Sequence, residues 1–231
     1  ENLFESDAVW LVNSREEADE AIRTLMNDDT EWRRRSLAGI REVFAKHTYA
    51  HRLKDIFERL GIATRLPTDP RIALVARAQN QSELQALDRF ARHQRYRSFR
   101  LGVACAPGMA GMVDSISERI KLLQPDQEAA WVAEQQADCT IAGWIAAHAG
   151  YGEHYLRDLA NATVYEPEAS GWAMALGRDR FSYGGQASLC GALWKRAEFL
   201  KQPINAHPEE RIARSDLYLA DSDHFQPAGA A

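Results

Sequence analysis

The sequence predicts an α/β fold: a mostly parallel sheet flanked by helices, preceded by a small helical segment. Three observations carry this. From Ser14 to Leu60 the apolar residues recur only at helical spacing. Gly61, Pro67 and Pro70 then break the pattern. Beyond them, short apolar runs alternate with helical stripes, which is how strand–helix–strand units read.

The elements follow in order. Ala8 to Val12 reads as a short strand. Ser14 and Glu17 form a capping box, each satisfying a free backbone N–H. Behind it Ala18, Ala21, Ile22, Leu25 and Met26 share one stripe. A second helix is expected from Thr30, burying Leu37, Ile40, Val43 and Phe44. A third is expected from Thr48, aligning Tyr49, Leu53, Ile56, Phe57 and Leu60, with Gly61 as its stop. Residues 61–70 read as a linker, giving a first domain of 1–66 and a second of 70–226.

In the second domain Ile72 to Ala76 is a strand and Ser82 caps a helix carrying Leu84, Leu87, Phe90 and Ala91. Phe99 to Cys105 is the next strand. Met109, Met112, Val113, Ile116, Ile120 and Leu123 follow at helical spacing, and Asp126 to Gln136 is a further helix. Thr140 to Ala146 and Gly171 to Leu176 read as strands around a helix from Glu153 to Tyr165. Pro227 to Ala231 reads as a disordered tail. Ligands of such sheets bind beyond the C-terminal strand ends, so loops 77–82, 105–109 and 147–153 are the places to look.

Composition narrows the partners. The 231 residues, 45% hydrophobic, suffice for one sizeable core and a smaller satellite. A formal charge of -5 and a pI near 5.8 argue against duplex nucleic acid. Arg33-Arg34-Arg35 is diluted by Glu31 and Glu42 and reads as a solvated helix face. No apolar run approaches the roughly 20 residues of a membrane span, and Glu1 to Ser6 lacks the form of a signal peptide. Residue 1 is not Met and reads as a processing boundary, so any upstream domain lies outside this sequence. Cys105, Cys139 and Cys190 have neither disulfide-framework nor zinc spacing, and imply free thiols in a reducing cytoplasm.

Two stretches resemble known families. Gly39-Ile-Arg-Glu-Val-Phe-Ala-Lys-His47-Thr48-Tyr49-Ala-His51-Arg52, with Ile56 and Leu60-Gly61, resembles the C-terminal helices of group 1 glycosyltransferases of the spore-maturation type, which have the GT-B fold. Tyr151-Gly152-Glu-His-Tyr155-Leu156-Arg-Asp158-Leu159-Ala-Asn-Ala162-Thr-Val-Tyr165 is similar to a segment of family 2-like transferases, which have the Rossmann-like GT-A fold. Arg71 to Asn80 is similar to that fold's first strand and nucleotide loop.

The resemblance implies transfer of a sugar from a nucleotide-diphosphate donor to a glycan or surface acceptor. Arg77, Asn80, Cys105 and His148 then fall at donor-binding positions, and Asp158 becomes the candidate general base. An active site of this kind requires magnesium or manganese, held by carboxylates and bridging to the diphosphate. Here the acidic motif is replaced by Ala147-His148-Ala149-Gly150, and the nucleoside carboxylate by Cys105 within Ala104 to Gly108. No metal ligand is therefore assigned. The alternative is a non-catalytic binding or assembly module attached to a catalytic GT-B domain upstream.

Other candidates have simpler readings. His47 and His51 are four apart but lack a third ligand, so capping and packing accounts for them. Asp221-Ser222-Asp223-His224 reads as a solvated turn, and Tyr151, Tyr155 and Leu159 as core. The stripes of residues 1–61 are expected to pack on the α/β part or on a second copy.

Overall fold

The structure is a computed structural model describing residues 4–5, 7–109, 116–176, 180–202, 207–221 and 225–227. The chain divides into two compact units, Glu1–Thr68 and Asp69–Ala231.

The first unit contains α1 (Arg15–Asn27), α2 (Asp29–Glu42), a π-helical turn at Val43–His47 and α3 (Tyr49–Arg59). The capping box forms: Ser14 Oγ accepts from the Glu17 N–H at 3.1 Å, and the Glu17 carboxylate accepts from the Asn13 N–H at 2.7 Å. Asp28 caps α2 by accepting from the N–H groups of Thr30 and Glu31. At the end of α3 Gly61 adopts φ 73°, and the Ile62 N–H returns to the Phe57 carbonyl at 2.8 Å, so a residue free of a Cβ clash ends the helix as expected. Glu31 receives Arg34 and Arg35, whose guanidinium groups hold its carboxyl down to about 2. His47 turns to Glu42 and His51 bonds Thr48, so the two rings do not converge on one ligand.

One expectation for this unit is corrected. Ala8–Val12 forms no strand. Among the residues of the helical stripes Ala21 and Leu37 are buried, whereas Met26 is 79% exposed, Tyr49 88%, Leu53 51%, Ile56 52% and Leu60 67%. Three helices of this length have too little interior to bury every stripe.

The second unit is a mixed α/β domain with a large, mostly parallel central sheet flanked by helices. Its elements are β1 (Ile72–Ala78), α4 (Gln81–His93), β2 (Phe99–Cys105), β3 (Ile120–Leu123), α5 (Glu128–Ala133), β4 (Ile141–Trp144), β5 (Gly150–Tyr151), α6 (Tyr155–Tyr165), β6 (Gly171–Met174), β7 (Ser182–Tyr183), β8 (Ala187–Ser188), β9 (Ala192–Lys195), α7 (Arg196–Phe199), β10 (Arg211–Ile212), β11 (Leu217–Ala220) and β12 (Phe225–Gln226). Eight strands order as β3-β2-β1-β4-β9-β6-β11-β7, and two short pairs, β10-β8 and β12-β5, stand apart. Within the eight-stranded sheet pairings are parallel except where β9 lies between β4 and β6 and where β7 edges β11, and both short pairs are antiparallel.

Alternation along β1 sorts the two cores. Ile72, Leu74, Ala76 and Ala78 pack with Leu84, Leu87 and Phe90 of α4 and Tyr155, Leu156 and Leu159 of α6. Ala73 and Val75 pack on the other face with Trp131 and Val132 of α5 and Phe199 of α7. Trp131 lies so close to Gly102 that a Cβ there would sit 2.9 Å from its ring. The residue before α4 that caps it is Asn80, two places ahead of Ser82. Ile120 to Leu123 pairs with β2 as a parallel strand and is not a continuation of a helix; Met112 and Val113 lie outside the described residues.

Tyr151 and Tyr155 stitch the first core together. Both hydroxyls donate to the Cys190 carbonyl, at 3.1 and 3.2 Å, and Tyr151 also accepts from the Ala146 N–H. Burial pushes both phenols well above their ordinary value of 10.0. The unfolded chain therefore releases these protons first as pH rises. The stability they contribute is whole below pH 10 and is lost as pH climbs toward the folded values, at about 1.4 kcal/mol per pH unit for each phenol. Urea unfolding followed through alkaline pH is expected to show this slope, reduced by one phenol in Tyr155→Phe. A flat profile shared by both proteins would contradict it.

Candidate functional site

β1 and β4 are adjacent and parallel. From its C-terminal end β1 leads through α4 to β2 on one side, while β4 leads through α6 to β6 on the other. Their ends thus form a topological switch point, where a crevice opens in sheets of this kind. Two polar clusters flank it, one on each face.

On the α4 face the cluster is Asn80, Glu83 and His148. Asn80 Oδ1 accepts from the Glu83 N–H at 3.0 Å, and Asn80 Nδ2 donates to Glu83 Oε1 at 2.7 Å. Glu83 Oε2 accepts from the Gln79 N–H at 2.8 Å. This reciprocal cap places a buried carboxylate at the positive end of α4. His148 is exposed and brings Nε2 to 3.5 Å from Glu83 Oε1. A phosphate arriving here would meet the imidazole together with the negative charge of Glu83.

On the α5 face Arg77 Nε donates to Glu128 Oε1 at 2.6 Å, and its guanidinium lies 5.0 Å from the centre of the Trp144 ring. The Glu128 side chain is 3% exposed and that of Arg77 31%. Glu128 Oε2 is buried with no hydrogen-bond partner among the described residues. Cys105, ending β2, is buried on the α4 face, where desolvation raises its thiol pKa and keeps it neutral.

The structure therefore joins Asn80 to His148 and divides them from Arg77 by the sheet. Asp158 lies elsewhere. α6 begins beside the N-terminal ends of the strands, where Glu153 accepts from the Arg95 N–H, Gln94 bridges Gly152 and Leu156, and Arg157 meets Asp69 just before β1. Asp158, in the first turn and buried, is thus at the opposite end of the sheet from Ala78 and Cys105. Asp221 is buried at the end of β11 with Arg180 Nη1 3.8 Å away, while Ser222 to His224 lie outside the described residues.

Glu83 and Glu128 were not legible as site residues. The spacing of Asn80 and Glu83 is itself a cap signature, but the pairing of Arg77 with a residue 51 positions away leaves no local trace. The two carboxylates sit on opposite faces, and among the described residues no group of three or more His, Cys, Asp or Glu could hold a metal ion. These residues do not fit magnesium or manganese, which need several hard oxygens around one point.

Residues 1–58 match the sequence profile of the family described as Glycosyl transferase-like. No curated protein matches the chain. Two similar solved structures are an active-site mutant of LgtC, with a TM-score of 0.38, and the galactosyltransferase LgtC in complex with donor and acceptor sugar analogues, with a TM-score of 0.37. Both are 12% identical and cover 65% of this chain and 73% of the other. Among the described residues no helix is long and apolar enough to cross a membrane.

Proposed function

We propose that the chain is part of a glycosyltransferase that moves a sugar from a nucleotide-diphosphate donor to a glycan or surface acceptor in the cytoplasm. Residues 1–66 are the helical end of a GT-B-like domain whose remainder lies upstream, and residues 70–226 are a GT-A-like nucleotide-sugar domain. The family match to residues 1–58 supports the first part. The observation that carries the second is the switch point of β1 and β4 with Asn80, Glu83 and His148 at its mouth. His148 is the group best placed to meet a diphosphate, and Arg77 and Cys105 line the neighbouring strand ends.

A second reading is favoured by one feature of the same site. Glu83 is engaged by its own helix cap and Glu128 by Arg77, so the acids nearest the crevice are occupied. This suits a non-catalytic module that binds the donor while chemistry proceeds upstream. Both readings expect donor binding through His148. Calorimetric titration with uridine and guanosine diphosphate sugars should give dissociation constants of about 1 mM, weakened about fivefold in His148→Ala. Silence with every nucleotide sugar, or an unaltered His148→Ala protein, would contradict both.

A further inference from the structure

We propose that the cavity between α4 and the segment Ile145 to Tyr151 binds an anionic saccharide, a sugar bearing phosphate or carboxylate, on the acceptor side of the transfer. This inference rests on the glycosyltransferase reading and names the acceptor's chemical class.

The cavity holds about 610 Å³, the size of a small-ligand site. Its floor is apolar, with Leu87 and Phe90 of α4 facing Ile145 and Tyr151. Ala147 and Ala149 leave the far wall open. The rim carries Arg89, Arg92 and His93. This rim belongs to an unusual stretch: from Asp88 to Arg100 there are five arginines and one acid, in a protein whose net charge is -5. That acid is already saturated. One Asp88 oxygen accepts from Arg92 at 2.7 Å and the other from the Ser117 N–H at 2.7 Å. Arg89 is exposed and has no carboxylate at ion-pair distance among the described residues.

Guanidinium groups over an apolar floor suit a ligand with an anionic group and a C–H-rich body. Arginine matches phosphate and carboxylate through paired hydrogen bonds, while aromatic and aliphatic side chains cover a sugar ring face. A bare phosphate would leave most of the volume unfilled. A membrane surface is disfavoured because none of the large exposed hydrophobic residues falls within 86–100 or 145–151. The same loop also ties the cavity to the switch point: Ala147 and Ala149 line the cavity, and His148 between them meets Glu83. A sugar held here would lie against the wall of the donor crevice.

The test is calorimetric titration of the 231-residue protein with glucose 1-phosphate, glucuronate, glucose and inorganic phosphate. The two anionic sugars are expected to bind about tenfold more tightly than glucose or phosphate. The double variant Arg89→Ala/Arg92→Ala, altered only at exposed positions, should lose about tenfold for both. Arg97→Ala, outside this cavity, should bind as the parent does. Inorganic phosphate binding as well as glucose 1-phosphate, or an unaffected double variant, would overturn the proposal. So would acidic vesicles or an RNA oligomer binding through Arg89 and Arg92 while the sugars stay silent. A uridine diphosphate sugar in the same series separates the two readings. Its binding should survive the double variant, and its absence from every protein would remove the donor reading while leaving the anionic-sugar result standing.

Discussion

Replacing Arg77 by methionine is expected to destabilise the α/β unit by about 3 kcal/mol. The cause is the partner left behind. Glu128 is 97% covered at its side chain, being 3% exposed, and Arg77 is the cation paired with it across the end of β1. An uncompensated buried carboxylate typically costs about 3 to 5 kcal/mol, and the low end applies because Arg77 is 31% exposed and water can reach the gap. The double variant Arg77→Met/Glu128→Leu should recover most of the loss, since apolar replacement of both buried partners is close to neutral. Urea midpoints for the parent and the two variants measure this directly. A single variant within about 0.5 kcal/mol of the parent would show that the pair does not hold Glu128 in place.

The second large effect belongs to the middle of the sheet. Gly171 of β6 lies opposite Trp194 of β9, and a Cβ at Gly171 would stand 2.5 Å from the indole ring. Trp194 is 1% exposed. Trp194→Ala is expected to cost about 4 kcal/mol, for the lost burial and the cavity together. Gly171→Ala should cost about 3 kcal/mol, because neither the strand pairing nor the buried ring can move aside. Combined with Trp194→Leu, the glycine substitution should cost much less. Denaturant unfolding of the single and combined variants yields the coupling, and strict additivity would contradict the close contact.

What the sequence revealed follows the range of the forces involved. β1 and β2 were readable almost to the residue, because each is a mostly apolar run that the fold buries except at Arg77 and Arg100. The caps of α1 and α3 were readable because capping acts within four residues. Ile120 to Leu123 misled because Ile116, Ile120 and Leu123 also satisfy a helical spacing, and pairing with β2 decided between the two. β9 and β11 went unread: four residues each, they owe their place to strands far away in sequence. At the site the same division holds. Asn80 and His148 lie at positions any parallel sheet would favour, whereas Glu83 was hidden by its role as a cap. Asp158 was misplaced relative to the crevice because the segment from Ile145 to His154 carries the chain to the other end of the sheet before α6 begins.

The central claim is that the switch point receives a nucleotide sugar without help from a divalent cation. Glu83 and Glu128, on opposite faces and already engaged, offer no shared oxygen cage, and a lone imidazole at His148 is a poor substitute for one. Titration of the 231-residue protein with a uridine diphosphate sugar, with and without manganese, tests this most directly. The account predicts dissociation constants within about twofold of each other in the two conditions. Binding tightened about a hundredfold or more by manganese would contradict it, and would require a cation site built from residues other than these.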